Sequence, residues 1–372
     1  MMESIDRQRL QLANSLALKG VALASPNPLV GCVIAAADGN VVGEGFHQYE
    51  WRDHAEIVAL KSAGEKSRGG NLYVNLEPCN HTGRTGPCSR AIINAGIKRV
   101  FVGMRDPNPK VTGNGIQALE AAGIEVILAH QEEQIAAQRL NETFCHWIQT
   151  GRPFVTLKSA LTLDGQMALP NEQKAKKNSW FTSERSRAEV HRLRHASDAV
   201  VTGIGTILAD NPLLSDRSGL PRRRRLLRVI LDSQLRLPIK SRIVQSSDDD
   251  ILVFTRASLK SAKAKRLQQR GVELVRAKSG RGGIDLRAVL DELGRRDLLG
   301  ALLEAGTALN SAALTGKVVQ KLILFYAPKF AGSPTVPFTD GAKFAMESIH
   351  SVSLEQFGPD FCIKGYVRAE TT

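Results

Sequence analysis

Aromatic residues make up only 5% of this chain of 372 residues, and cysteines number five. No apolar run approaches the ~20 residues that a membrane span requires. The shortage of aromatics argues against a nucleic-acid binder, because single-stranded recognition needs rings on which bases stack. A net charge of +13 and a pI near 9.7 would otherwise invite that reading. The densest basic run, Arg222-Arg223-Arg224-Arg225, has no aromatic among it. It reads as a solvated loop, or else as an attractor of phosphorylated small molecules. The residues from Met1 to Arg7 contain no apolar stretch, so an export leader is not expected.

What is present is globular material, 42% hydrophobic, in a length that suggests two domains. Ile5–Val21 has helical periodicity and is broken by Ser25-Pro26-Asn27-Pro28. Leu29–Ala35 and Val41–Phe46 read as a hairpin around Asp38-Gly39-Asn40. Helical and strand patterns then alternate to a long predicted helix, Glu132–Gln149, giving an α/β sandwich over residues 1–150. Thr150-Gly151-Arg152-Pro153 marks the expected linker. Residues 151–372 show seven further strand patterns, at Phe154–Leu157, Ala199–Thr202, Arg228–Leu231, Ile251–Phe254, Val272–Val275, Gly300–Glu304 and Leu322–Phe325. Helical stretches such as Glu184–His195, Leu259–Arg270 and Leu286–Leu293 separate them, which predicts a mainly parallel sheet able to hold a nucleotide at its strand ends.

Two stretches carry the chemistry: His54-Ala55-Glu56, and Glu77-Pro78-Cys79 through Pro87-Cys88. One imidazole and two thiols are the ligands that a catalytic zinc takes when its fourth position is left for water. Glu56 is too close to His54 to be another ligand but well placed to move a proton. Asp53 reads as a helix N-cap, which puts His54 and Glu56 in a first turn, and Pro87 reads as the opening of a second helix. Other readings stay open here. Asp53 and Glu56 have the spacing of a capping box, and His81 could be a fourth ligand that closes the site and makes it structural. Cys32, Cys145 and Cys362 remain as an odd, unpaired set, which fits a reducing compartment and makes the cytoplasm the expected location.

In the second half, Thr202-Gly203-Ile204-Gly205-Thr206 has the setting of a phosphate-binding turn. Leu208 stands where the dinucleotide fingerprint needs its third glycine, so a Rossmann assignment fails. Glu304-Ala305-Gly306-Thr307 offers a second strand-to-helix turn.

These residues together resemble the bifunctional deaminase/reductases of riboflavin biosynthesis. The first half carries the resemblance in Asn27-Pro28-Leu29-Val30-Gly31-Cys32-Val33-Ile34, His54-Ala55-Glu56 and Glu77-Pro78-Cys79 through Pro87-Cys88. The second carries it in Lys158–Gly165, Thr206–Leu214 and Glu304-Ala305-Gly306. Eight residues separate Cys79 from Cys88, as in that family and unlike the short spacing of cytidine and tRNA-adenosine deaminases.

The resemblance implies a cytidine-deaminase-like α/β/α domain followed by a dihydrofolate-reductase-like α/β domain. It implies zinc on His54, Cys79 and Cys88, with Glu56 as proton shuttle, for deamination of 2,5-diamino-6-ribosylamino-4(3H)-pyrimidinone 5′-phosphate. NADPH-dependent reduction of the ribosyl chain would follow. Ala160, Trp180, Thr206, Asp210, Ser233 and Gly306 match cofactor positions, while Asn178, Arg194, Leu214, Arg217 and Glu304 match substrate positions. The arginines suit a 5′-phosphate. The expected partners are this small phosphorylated pyrimidine and further copies of the chain, with neither nucleic acid nor membrane.

The chain departs from the family in four places. Leu169–Lys177 replaces a shorter Gly- and Ser-containing loop, Asn178 stands where serine is usual, Ser215-Asp216-Arg217 replaces a threonine-containing run, and Glu304-Ala305-Gly306 lacks the proline that commonly follows. Two other classes compete. A nucleic-acid deaminase predicts the short cysteine spacing, and a zinc-stabilised binding protein leaves Glu56 without a role.

Overall fold

Two compact units make up the chain, Met1–Gly151 with Pro221–Arg224, and Arg152–Leu220 with Arg225–Thr372. The structure is a computed structural model that describes residues 2–81, 86–108, 111–167, 181–280, 283–332, 335–341 and 349–367.

In the first unit, helix α1 (Ser4–Ala17) leads into strands β1 (Gly31–Ala35) and β2 (Val41–Phe46), the predicted antiparallel hairpin. Helix α2 (Ala55–Ala63), strand β3 (Asn71–Leu76), helix α3 (Cys88–Asn94) and strand β4 (Arg99–Met104) follow. The unit ends with α4 (Asn114–Ala121), β5 (Glu125–Leu128), α5 (Gln131–Leu140) and α6 (Glu142–Thr150). The sheet order is β2-β1-β3-β4-β5, with β3, β4 and β5 parallel.

Successive strand residues face opposite sides, so the apolar strands feed two cores. Cys32, Ile34, Leu72 and Val74 pack with Ala55 and Ala59 of α2, while Val33, Tyr73 and Phe101 pack with Leu10 and Ala13 of α1. This is the three-layer arrangement that the sequence predicts.

The predicted helix Glu132–Gln149 is broken at Asn141. That residue leaves helical geometry at φ −106°, ψ 21°, and its side chain reaches across to Leu29. Its Oδ1 accepts from the Leu29 N–H at 2.8 Å and its Nδ2 donates to the Leu29 carbonyl at 3.0 Å. The Asn141 N–H still donates to the Ala137 carbonyl at 3.2 Å, so the break is a local kink that accompanies this side-chain contact, a tertiary effect that periodicity does not register. The arginine run is not wholly solvated. Arg223 donates from Nε to the Ser25 carbonyl at 3.0 Å and lies over the Tyr49 ring at 4.0 Å.

The second unit begins with β6 (Phe154–Thr162), α7 (Glu184–Ala196), β7 (Ala199–Gly203), α8 (Ile204–Asp210) and β8 (Leu227–Leu231). Next come α9 (Arg242–Gln245), β9 (Ile251–Thr255), α10 (Ala262–Gln268) and β10 (Val272–Arg276). A two-residue ladder, β11 (Ser279–Gly280) with β12 (Gly283–Ile284), precedes α11 (Leu286–Arg295), β13 (Gly300–Leu303), α12 (Thr307–Thr315) and β14 (Lys321–Ala327). Strands β15 (His350–Phe357) and β16 (Asp360–Tyr366) close the chain.

The sheet order is β10-β9-β8-β7-β13-β6-β14-β16-β15. It is parallel from β10 to β14, as predicted, and antiparallel at β16 and β15. The sequence reading lacks that terminal hairpin. Strand β15 is exposed along nearly its whole length, so it shows no one-sided apolar alternation to read. Helix α10 is shorter than the predicted Leu259–Arg270 because Ser261 caps it, accepting from the Ala264 N–H at 3.2 Å. No helix among the described residues is long and apolar enough to cross a membrane.

Candidate active sites

The first site sits where α2 and α3 begin. Helix α2 can lie on β2 because β2 offers glycine: a Cβ on Gly45 would stand 2.3 Å from the Ala55 carbonyl oxygen. His54 is the N-cap of α2, not Asp53; Asp53 lies one residue further out and pairs with Lys61 at 2.6 Å. The capping-box reading of Asp53 and Glu56 therefore gives way, and Glu56 is released for another use. Pro87 is the N-cap of α3, so Cys88 is its first helical residue.

His54 Nδ1 lies 3.5 Å from Cys79 Sγ and 3.3 Å from Cys88 Sγ. All three ligand atoms fall within 4.8 Å of one another. Tetrahedral zinc with ordinary Zn–N and Zn–S bonds puts nitrogen and sulfur about 3.6 Å apart, so the donor set fits that ion in type and in spacing. His81 is exposed and lies outside this cluster, which leaves three protein ligands among the described residues. Glu56 is only 3% exposed. Burial pushes its carboxyl up to about 7, against the opposing pull of the His54 charge. Hydrogen bonding from Cys88 holds the Cys79 thiol low, while the neighbouring Cys79 and burial push the Cys88 thiol up.

Two supports of this site are absent from the sequence reading. Glu77 is buried and accepts four backbone N–H groups, from Asp106, Gly113, Gly115 and Ile116, at 3.0–3.3 Å. It ties the Glu-Pro-Cys turn to the start of α4, where Gly115 is needed because a Cβ there would stand 1.9 Å from the Pro78 carbonyl oxygen. His47 is buried beside His54, edge to face at 5.3 Å, and pairs with Asn27 at 2.9 Å and with the Asp53 carbonyl at 3.0 Å. Its signal was the proximity of Asn27 to a strand end, which spacing alone does not connect to residue 47.

The second site lies at the carboxyl ends of the parallel strands, where open α/β sheets bind ligands. Glu304 follows β13, and Arg194 grips it from α7 through Nε at 2.6 Å and a terminal nitrogen at 3.0 Å. Lys158 of β6 stands 3.7 Å from the same carboxylate. Burial works to raise the Glu304 carboxyl, but Lys158 and Arg194 outweigh it and hold it low. Burial, with Arg194 adding, pulls the Lys158 ammonium down against Glu304. Thr206 lies in the first turn of α8, Ser233 follows β8 and Gly306 is the N-cap of α12. A Cβ built at Gly205 or Gly306 meets nothing within 4 Å, so both turns face open space. Ala160 lies in β6, while Asp210 ends α8 and is exposed. Leu214 is buried and Arg217 is exposed. Asn178, Trp180 and the departing loop Leu169–Lys177 lie outside the described residues.

A zinc-type ligand cluster on an α/β/α sandwich, joined to a parallel-sheet unit with open strand-end turns, defines a two-domain enzyme that couples a deaminase to a reductase. Residues 3–104 match the family described as the cytidine and deoxycytidylate deaminase zinc-binding region, and residues 153–363 match the RibD C-terminal domain. The riboflavin biosynthesis protein RibD of Actinobacillus pleuropneumoniae is 37% identical, over 95% of this chain and 91% of its own. That of Aquifex aeolicus is also 37% identical, over 98% and 99%.

Among solved structures, Acinetobacter baumannii RibD matches with a TM-score of 0.85 and 34% identity, over 97% of this chain and 98% of that one. The Thermotoga maritima diaminohydroxyphosphoribosylaminopyrimidine deaminase/5-amino-6-(5-phosphoribosylamino)uracil reductase matches with a TM-score of 0.82 and 32% identity, over the same shares. The chain belongs to the RibD family of bifunctional riboflavin biosynthesis enzymes, and is both a hydrolase and an oxidoreductase.

Proposed function

We propose that residues 1–150 deaminate 2,5-diamino-6-ribosylamino-4(3H)-pyrimidinone 5′-phosphate at a zinc site of His54, Cys79 and Cys88. Residues 151–372 then reduce the ribosyl chain of the product with NADPH. The observation that carries the first step is the buried Glu56 beside a three-ligand cluster. Zinc, when bound there, supplies Lewis-acid activation of a water. Glu56 accepts a proton from the attacking water at its carboxylate and returns it to the amino group as ammonia leaves. Hydrolysis forms the carbon–oxygen bond and breaks the carbon–nitrogen bond at the carbon that bears the 2-amino group. The open turns at Gly205 and Gly306 support cofactor binding by Ala160, Trp180, Thr206, Asp210, Ser233 and Gly306.

NADPH supplies a hydride. Glu304 meets the substrate with its charge balanced by Lys158 and Arg194. Since Arg194 is committed to Glu304 and to the Ser215 carbonyl, the phosphate falls to Arg217, with Asn178 and Leu214 completing the contacts. Five free cysteines fit a reducing compartment and support the cytoplasm as location, and the chain acts as a homo-oligomer. The test is ammonia release from the diaminopyrimidine ribotide, followed by oxidation of NADPH in preference to NADH by the ratio of kcat/KM. Ammonia release from a deoxyoligonucleotide instead, or no preference for NADPH, contradicts the corresponding half.

A further inference from the structure

The loop from Asn211 to Ser218 carries Leu214 and Arg217, and it is held in an unfavourable shape. Leu214 sits at φ +52°, a left-handed conformation that a branched residue adopts only when its surroundings impose it. The surroundings do so. The Leu214 side chain is buried in a core with Val200, Ile204 and Ile230. The buried Arg228 donates to the Leu213 carbonyl at 3.1 Å, and Arg194 donates to the Ser215 carbonyl at 3.1 Å. His195, the residue after Arg194, is buried and pairs through Nδ1 with Oδ2 of the half-buried Asp216 at 2.9 Å. The other oxygen of Asp216 accepts the Ser218 N–H at 2.9 Å, so Asp216 closes the chain on both sides of Arg217.

Helix α7 is a fixed platform for these contacts. At its other end Asp360 Oδ2 accepts the Ser183 N–H and the Ser186 hydroxyl, both at 2.6 Å. Arg217 also belongs to the Glu304 neighbourhood electrostatically. Burial, then the charges of Arg194 and Arg217, hold the His191 imidazole below its ordinary range, with Glu304 and Asp216 opposing.

We propose that His195 and Asp216 are a positioning pair that presents Arg217 to the phosphate of the reductase substrate. The proposal rests on the reading of Arg217 as a substrate contact, and it gives a use to Ser215-Asp216-Arg217, where this chain departs from the family. Asp216 itself does not touch substrate; it acts through Arg217.

The test is steady-state reductase kinetics of the full chain with 5-amino-6-(5-phosphoribosylamino)uracil and NADPH. Asp216→Ala is expected to raise the KM for the pyrimidine about tenfold, with kcat and the NADPH KM changed by less than about threefold. Asp216→Asn, which keeps an acceptor for the Ser218 N–H and turns an amide donor toward His195 Nδ1, is expected to restore most of that loss. Arg217→Ala raises the same KM, and the double variant Asp216→Ala/Arg217→Ala is no worse than Arg217→Ala alone. A raised KM in Arg217→Ala with an unaltered KM in Asp216→Ala, or a double variant whose defects multiply, overturns the pair and leaves Arg217 as a contact. An unaltered KM in Arg217→Ala overturns the reading on which the pair rests, and the pair with it. Should Asp216→Ala fail to fold, His195→Gln takes its place with the same expectations.

Discussion

The backbone N–H of Cys88 donates to the sulfur of Cys79 at 3.5 Å, which joins the first turn of α3 to the Glu-Pro-Cys turn. A helix N-terminus aimed at sulfur favours the thiolate form that a metal requires. The ligand geometry therefore depends on how firmly the Glu-Pro-Cys turn is held, and that hold is Glu77.

Glu77→Ala strips four backbone N–H groups, three of them in buried hydrogen bonds, of their acceptor. A hydrogen bond to a charged group is worth roughly 1.5–3 kcal/mol, so the first unit is expected to lose about 3 kcal/mol or more. Denaturant unfolding of the zinc-loaded chain checks this, along with zinc content after dialysis against a weak chelator, which should fall. An unchanged midpoint and unchanged zinc retention would remove Glu77 from the support of the site.

Glu304→Gln leaves Lys158 and Arg194 as buried cations without a counter-charge. Each side chain is only 11–13% exposed, so solvent does little to relieve them. Breaking such a group by removing one partner costs about 3–5 kcal/mol. The unfolding transition of the second unit should drop accordingly and NADPH oxidation should be lost. Wild-type stability in this variant would mean that the cluster is not the buried anchor described.

Asp164 fastens the 329–332 segment to the end of β6, accepting from the Thr162 hydroxyl at 2.5 Å and from the N–H groups of Ala331 and Gly332 at 2.9–3.3 Å. The Thr162 hydroxyl first, then those N–H groups, hold its carboxyl down at about 2. A depressed carboxyl stabilises fully above its unfolded pKa of about 3.9, and its contribution is lost as pH falls through the folded value. The Tm gap between wild type and Asp164→Ala should thus be constant from about pH 7 to about pH 5 and shrink between about pH 4 and pH 2. A gap that widens on acidification would contradict the assignment.

The parts of the fold legible in the sequence were those set by neighbours along the chain. The hairpin around Asp38-Gly39-Asn40, the apolar parallel strands and the spacing of His54, Cys79 and Cys88 all follow from local pattern. What escaped depends on residues far apart: Asn141 breaking a helix to reach Leu29, Asp360 bracing the Ser183 cap of α7, and His195 meeting Asp216. Each is a polar side chain whose partner is chosen by tertiary proximity, and periodicity carries no record of it. Strand β15 escaped for a different reason, since a strand exposed on both faces has no apolar side to alternate.

The central claim is that Glu56 moves the proton at a zinc site which it does not itself build. Glu56→Gln, measured for both zinc content and ammonia release from the diaminopyrimidine ribotide, tests it most directly. The account predicts wild-type zinc and a fall in kcat of about 10²–10⁴-fold, the range for loss of a positioned acid–base group. His54→Ala and Cys79→Ala should lose the metal itself. Ammonia release near the wild-type rate from a zinc-loaded Glu56→Gln protein would contradict the account.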